Sequence, residues 1–245
     1  MTNDPFMDVV ARDGRTLVSA TASNWVRPVP NCPDWDAAGL VRHTGGILAW
    51  MASIIETGER TSFRSLPPPP DEDAELSAWF LDNLERTLHV MRTYESERTV
   101  WTFSSLGDHR ASWWRRRLAV EMAIHRWDAE YAVAIHGGPT PAPLHRRVAV
   151  SGIEEFVTEF LPGLLAQPTA DRPSGTLRLQ ITDAPTDRWL DLDDQGTDLV
   201  GRPEADTTVR GTASDVLLWL TNRHTDDTVM EGDRALLDAW TAMKR

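Results

Sequence analysis

The run LAVEMAIHRWDAEYA, residues 118–132, repeats its apolar side chains at three- and four-residue steps. That period belongs to a helix, and it places Leu118, Glu121, His125 and Ala129 or Ala132 on one stripe. The stripe is otherwise apolar, so Glu121 and His125 point into a helical assembly rather than into water. A buried carboxylate without a partner is costly, and burial alone would neutralise it. A cation is therefore expected close to Glu121. Working outward, this helix spans about Asp108 to Ile135 and stops at Gly137-Gly138-Pro139.

Upstream, DAAGLVRHTGGILAWMASIIE begins at Asp36, a natural N-cap after the turn-rich stretch Pro28 to Pro33. Leu40, Val41, Thr44, Ile47, Leu48, Met51 and Ile55 fall at helical spacing, with His43 on the same inward side. Leu66-Pro67-Pro68-Pro69-Pro70 cannot be helix, because proline lacks an amide hydrogen and restricts the residue before it. It reads as a stiff connector into a helix from Asp71 to about Thr93. Phe6 to Ser23 completes the set, although Asp13-Gly14 interrupts its pattern. Four helices with short or stiff connections predict a bundle over residues 1–140.

Beyond Pro143 the pattern changes. A helix is expected from Leu144 to Leu165. Alternation then marks strands at Leu177, Leu179 and Ile181, at Leu190 and Leu192, and from Asp206 to Arg210. Helices follow at Val216 to Asn222 and Arg234 to about Met243. Residues 141–245 thus read as a smaller α+β domain, and the chain as an α+β protein of two domains.

Composition narrows the function. Acidic residues outnumber basic ones 37 to 25, for a net charge of −12 in 245 residues. That balance argues against nucleic acid and anionic membrane as partners. No apolar run is long enough to span a bilayer. The N-terminal residues lack the pattern of a signal peptide, so a cytoplasmic setting is expected. The single cysteine, Cys32, excludes an internal disulfide, a cysteine-rich zinc site and a two-cysteine redox centre. Lys244 is the only lysine, which reflects a GC-rich codon bias more simply than a function. Oligomeric state is not readable from the sequence.

Glu121 and His125 lie four apart and can converge on one point from one helix face. His43 could close a three-ligand set from the facing helix. Two imidazoles and one carboxylate suit Zn²⁺ or another divalent metal and leave a coordination position open, as in catalytic sites. The plainer alternative stays open here, since Glu and His at this spacing occur on surface helices and an inward histidine is often only hydrogen-bonded. Arg117, one turn before Glu121, could pair with it or bind a ligand, although Arg115-Arg116-Arg117 also reads as a solvated run. Asp128, three after His125, could support that ligand or serve only packing. His89, His109, His136, His145 and His224 lie outside the apolar stripes. Cys32 reads as a small packing residue. Trp50, Trp113 or Trp114 could line a pocket over a metal.

Two segments carry a family resemblance. VPNCPDWD, residues 29–36, leading to Leu40-Val41-Arg42-His43, resembles the first signature of the mycothiol-dependent maleylpyruvate isomerase family, within the DinB-like four-helix bundles. EMAIHRWDAE, residues 121–130, resembles the second. The resemblance implies that His43, Glu121 and His125 bind a divalent metal, usually zinc. The segments Val209-Arg210-Gly211 and Leu217 to Arg223 are similar to the family's smaller, sterol-carrier-like α+β domain. There the resemblance marks Arg223 as catalytic or substrate-binding, across a cleft between the domains; capping of a helix end is the alternative.

The implied cofactor is mycothiol, a low-molecular-weight thiol, and the implied substrate a small electrophile. Metal-held thiolate would attack its carbon skeleton. In the isomerases, addition, bond rotation and elimination convert maleylpyruvate to its trans product; in related members the attack ends in S-transfer. In this reading Arg117 is placed at the bound cofactor. A zinc hydrolase is a competing possibility, but no glutamate adjoins a ligand histidine as in HExxH. A non-catalytic carrier is another, which retention of all three metal residues disfavours.

Overall fold

The structure is a computed structural model in which residues 4–167, 172–199, 204–223 and 225–243 are described. It divides into two compact units, Met1–Leu144 and His145–Arg245.

Four helices make up the first unit: α1 (Pro5–Thr21), α2 (Ala37–Thr57), α3 (Leu76–Thr93) and α4 (Ala111–Ala134). α1 packs mainly on α4 and α2 on α3, with α1 also meeting α3 and α2 meeting α4. Leu17, Leu40, Leu48, Ile54, Phe80, Leu84, Leu88 and Leu118 are completely buried between them. Asp4 caps α1 by accepting from the Phe6 amide, with Pro5 at the first helical position. Asp36 caps α2 through the Gly39 amide, and Gly58 ends it in the left-handed region.

Asp13-Gly14 does not interrupt α1. The bare Gly14 backbone lets Leu84 of α3 approach, since a Cβ there would stand 3.1 Å from its methyl carbons. Asp13 is buried beside the almost fully buried Arg126 of α4, whose Nε lies 3.7 Å away. Arg126 also pairs with Glu130 and donates to the carbonyls of Ala142 and Pro143.

α3 begins at Leu76, five residues later than the sequence predicts, after a short 3₁₀ turn at Asp73–Glu75. Arg42 is the physical reason. Its guanidinium takes the carbonyls of Pro70 and Asp71 and the Asp73 carboxylate, which holds the connector in place and delays the helix. α4 likewise starts after the expected Asp108, which is spent on Arg110 and Arg116.

The second unit begins with α5 (Arg146–Glu155), a π-helical turn at Phe156–Phe160 and α6 (Leu161–Leu165) in place of one uniform helix. Pro162 lacks the amide hydrogen that regular α-helix would need there, and its ring crowds the turn before it. Five strands form one sheet: β1 (Thr176–Ile181), β2 (Arg188–Asp191), β3 (Thr197–Asp198), β4 (Thr207–Gly211) and β5 (Val229–Gly232). Their order is β3-β2-β1-β4-β5, with β1 parallel to β4 and the other pairs antiparallel.

The two edge strands, β3 and β5, have no apolar alternation and are exposed throughout, so sequence patterning missed them. Leu192 lies just past β2, with its amide on the Gly175 carbonyl. α7 (Ala213–Leu220) starts earlier than expected because Thr212 and Asp215 form a capping box. It is buried along its whole length, and Trp219 stacks on Trp240 of α8 (Arg234–Met243). The helical region followed by an α+β unit is the expected fold class.

Replacing Arg126 with alanine would leave Asp13 only the half-exposed Arg12, at 2.7 Å from its other oxygen, and would strip Glu130 and the Ala142 and Pro143 carbonyls of their buried donor. Urea denaturation of Arg126→Ala should show a loss of about 3 kcal/mol or more. A loss within the range of surface substitutions would mean that the buried Arg126 network does not hold α4 to α1 and to the chain after it.

Candidate metal centre

The three residues selected by helical spacing meet in the first unit. α4 presents Glu121 and His125, each 8% exposed, and α2 presents the half-buried His43. The Nε2 atoms of His43 and His125 both stand 3.2 Å from the same Glu121 oxygen, Oε1. The second oxygen, Oε2, takes the Arg117 guanidinium one turn earlier on the helix. The cation that a buried Glu121 requires is thus present.

Burial alone would push the Glu121 carboxyl upward. Arg117, with hydrogen bonds from His125 and His43, outweighs that effect and holds it well below the usual carboxylate range. Burial also opposes a charged His125, but the hydrogen bond to Asp128, with help from Cys32 and Glu121, keeps its pKa well above the ordinary value.

Asp128 is fully buried, and its carboxylate accepts from three sides. His125 Nδ1 donates to Oδ2 at 3.0 Å, Cys32 Sγ to the same oxygen at 3.6 Å, and Asn31 Nδ2 to Oδ1 at 3.3 Å. The His125 ring is therefore fixed with Nε2 toward Glu121 and His43. The sequence offered support of His125 or packing for Asp128, and the structure sets its carboxylate against the Nδ1 side of the His125 ring.

Asn31 and Cys32 come from a tight turn before α2. Val29 donates to the Trp35 carbonyl, Cys32 to Val29 and Trp35 to Cys32, with Asp34 in the left-handed region. The same turn sets Trp35 against His43, with ring centroids 4.6 Å apart. Sequence reasoning missed Trp35 and Asn31 as parts of the site. Their signal was the turn-rich segment itself, whose hydrogen bonding no helical period reports.

Trp50, Trp113 and Trp114 instead pack with Trp101 and Phe103, and Trp114 Nε1 donates to the Trp101 carbonyl. The arginine run is no solvated face. Arg115 takes the carbonyls of Met91 and Tyr94 at the end of α3, Arg116 takes Asp108, and Arg117 takes Glu121. His89, His109 and His136 are exposed, and His145 is half-buried. His224 lies outside the described residues. Arg223 belongs to the second unit, directly after α7, where its amide donates to the Leu218 carbonyl and its Nη1 to that of Thr221.

The donor set fits a zinc-like ion. Ligand atoms about 2.0–2.1 Å from a tetrahedral metal stand about 3.3 Å from one another. The two observed nitrogen-to-oxygen distances are 3.2 Å, and the ligand atoms of all three residues lie within 4.8 Å of each other. A second cluster, Cys32, His125 and Asp128, meets the same spacing. It shares His125 but uses the ring nitrogen already given to Asp128.

Solved structures show the same fold. A crystal structure of mycothiol-dependent maleylpyruvate isomerase is similar at a TM-score of 0.59 and 17% identity, covering 94% of this chain and 96% of that one. A histidine-to-alanine mutant of that enzyme gives 0.62 and 16% over the same shares. No curated protein sequence matches the chain at a significant level. Two family models together span nearly all of it. Residues 147–239 match the MDMPI C-terminal domain, and residues 7–130 match the mycothiol maleylpyruvate isomerase N-terminal domain. The chain belongs to the mycothiol maleylpyruvate isomerase family.

Proposed function

We propose that the chain is an enzyme that holds a divalent metal, best matched by zinc, on His43, Glu121 and His125 and uses mycothiol to attack a small electrophile. The convergence of those three donors, in a member of this family, carries the reading. When bound, zinc with an open position would lower the pKa of a thiol and favour its thiolate form.

The chain's own residues prepare that site. Asp128 holds His125 in one tautomer and orientation, as carboxylates behind metal-binding histidines do. Arg117 keeps Glu121 ionised while it is buried, which places its guanidinium one helix turn from the proposed metal and cofactor. Trp35 packs against His43 with the two rings tilted by 44° and limits its rotation. The thiol must come from outside, because Cys32 is buried and donates to Asp128. Arg223, in the second unit, remains our candidate for binding a single carboxylate, since a guanidinium offers a planar fork for one. A metal hydrolase fits less well. Glu121 and Asp128, the carboxylates of the cluster, are both engaged by cations or donors, so neither is free to act as a general base toward water.

Protein purified without chelator should contain about one zinc per chain, by elemental analysis. Asp128→Asn should weaken zinc binding by about 10- to 100-fold with the fold intact by circular dichroism. Unchanged affinity would remove Asp128 from the site.

The raised His125 pKa fixes the sign of a pH effect. Below that pKa the metal-free imidazole carries an extra proton, and a metal must displace it. Zinc binding near pH 7 should therefore release protons and weaken as pH falls. Calorimetry in buffers of different ionisation enthalpy reads this directly, and no release would show His125 already neutral.

Mycothiol and cis-configured conjugated electrophiles, maleylpyruvate among them, given to the zinc-loaded protein decide between the two outcomes. A trans product with the thiol regenerated identifies an isomerase; a stable thioether of added mass identifies a transferase. Full turnover by metal-free protein would overturn the reading altogether.

A further inference from the structure

We infer that a cavity beside the metal cluster, between α2 and α3, is the substrate pocket and that it takes a bulky, mainly apolar electrophile rather than a small dicarboxylate. The inference rests on the metal reading above and adds the substrate class.

The cavity has a volume of about 750 Å³, and His43 is among the residues lining it. Neither Glu121 nor His125 lines it, so a ligand seated there would meet the proposed metal site through His43. The volume falls within the range of pockets that enclose drug-sized molecules, roughly 300–1,000 Å³.

Small residues on α2 let aromatic walls approach it. Gly46 and Ala49, one and two turns beyond Arg42, form the α2 wall. A Cβ at Gly46 would stand 2.7 Å from the Phe63 ring, so the bare backbone lets this ring close over α2. Gly45 acts the same way toward Trp79 of α3, whose ring would lie 2.3 Å from a Cβ. Leu66 and the prolines 67–69 line the cavity from the connector, which Arg42 ties down at Pro70, Asp71 and Asp73. The rigid proline run keeps this wall in place without a regular element beneath it.

The charges decide what enters. Of the arginines in the lining, Arg42 is neutralised by Asp73 and Arg86 by Glu56. Arg64 has no ion-pair partner among the described residues, and Asp82 stands in the same lining as an unpaired carboxylate. With the metal engaged at one end of a ligand, one lining cation opposed by one anion leaves no guanidinium fork for a second carboxylate at the other end. The remaining surface, from Phe63, Leu66, the prolines and Trp79, suits an aromatic or branched hydrocarbon body.

The test uses Nile red, a neutral dye that brightens in apolar surroundings, with the full-length protein. It should bind the wild type, be displaced by benzylideneacetone, an apolar conjugated enone, and resist displacement by maleate. Ala49→Trp fills the cavity and Leu66→Asp charges its wall. Each should weaken dye binding by about tenfold or more, with zinc content and thermal transition unchanged.

Unchanged dye affinity in both folded variants overturns the proposal, as does displacement by maleate as strong as by the enone. Zinc uptake without dye binding overturns the pocket and leaves the metal reading standing. Dye binding that responds to both variants in a protein that takes up no zinc supports the pocket as an apolar site while the metal reading falls.

Discussion

The Glu121 carboxylate is buried inside a four-helix bundle, and the surrounding structure answers its charge. Taking an ionised carboxylate out of water costs several kcal/mol even after relaxation. Arg117 and His125 come from the same helix, one turn on either side, so the α-helical period supplies two of the compensating groups. The third, His43, can reach the same oxygen only if α2 lies against α4 in one register. The charge therefore specifies the packing of α2 on α4 as well as being stabilised by it. The same geometry that satisfies Glu121 without a metal sets three donor atoms at the spacing a small divalent ion needs.

The turn before α2 extends this arrangement from two helices to a rigid site. It gives Asn31 and Cys32 to Asp128 and Trp35 to His43. One short segment thus braces both histidines, His125 through the carboxylate behind it and His43 through an aromatic ring. A loop could not do this if it were loose. Its backbone hydrogen bonds and the left-handed Asp34 fix the directions in which its side chains leave.

These different kinds of order explain what could be read beforehand. His43, Glu121 and His125 stood out because each breaks an apolar stripe of regular period, and a polar residue on such a stripe needs a reason. Trp35 and Asn31 sit in a turn, where direction depends on hydrogen bonds that no period encodes. Asp128 was visible three residues after His125, but the sequence does not say which neighbours reach a carboxylate through the bundle. In the second unit, alternation revealed β1 and β4, whose apolar faces are buried. β3 and β5 carry no such pattern because they are exposed edges stabilised by pairing. The late start of α3 has the same origin. Arg42 binds the connector from another helix, and a tertiary contact overrules the local preference.

The lone cysteine links the site to its proposed chemistry. Cys32 lies close enough to the cluster to be mistaken for a nucleophile, yet its thiol is buried and serves as a donor to Asp128. The one thiol of the chain is thus spent on the carboxylate behind His125, which on the proposed reading leaves the attacking sulfur to a diffusible thiol. Isomerisation and S-transfer begin alike on this reading and diverge after carbon–sulfur bond formation. They differ in whether the skeleton is held so that elimination follows rotation, or is released with sulfur attached. The three proposed ligands meet the reaction before that point and are indifferent to it. Discrimination must therefore come from groups that touch the carbon skeleton, and the rigid walls around the α2–α3 cavity are suited to impose it.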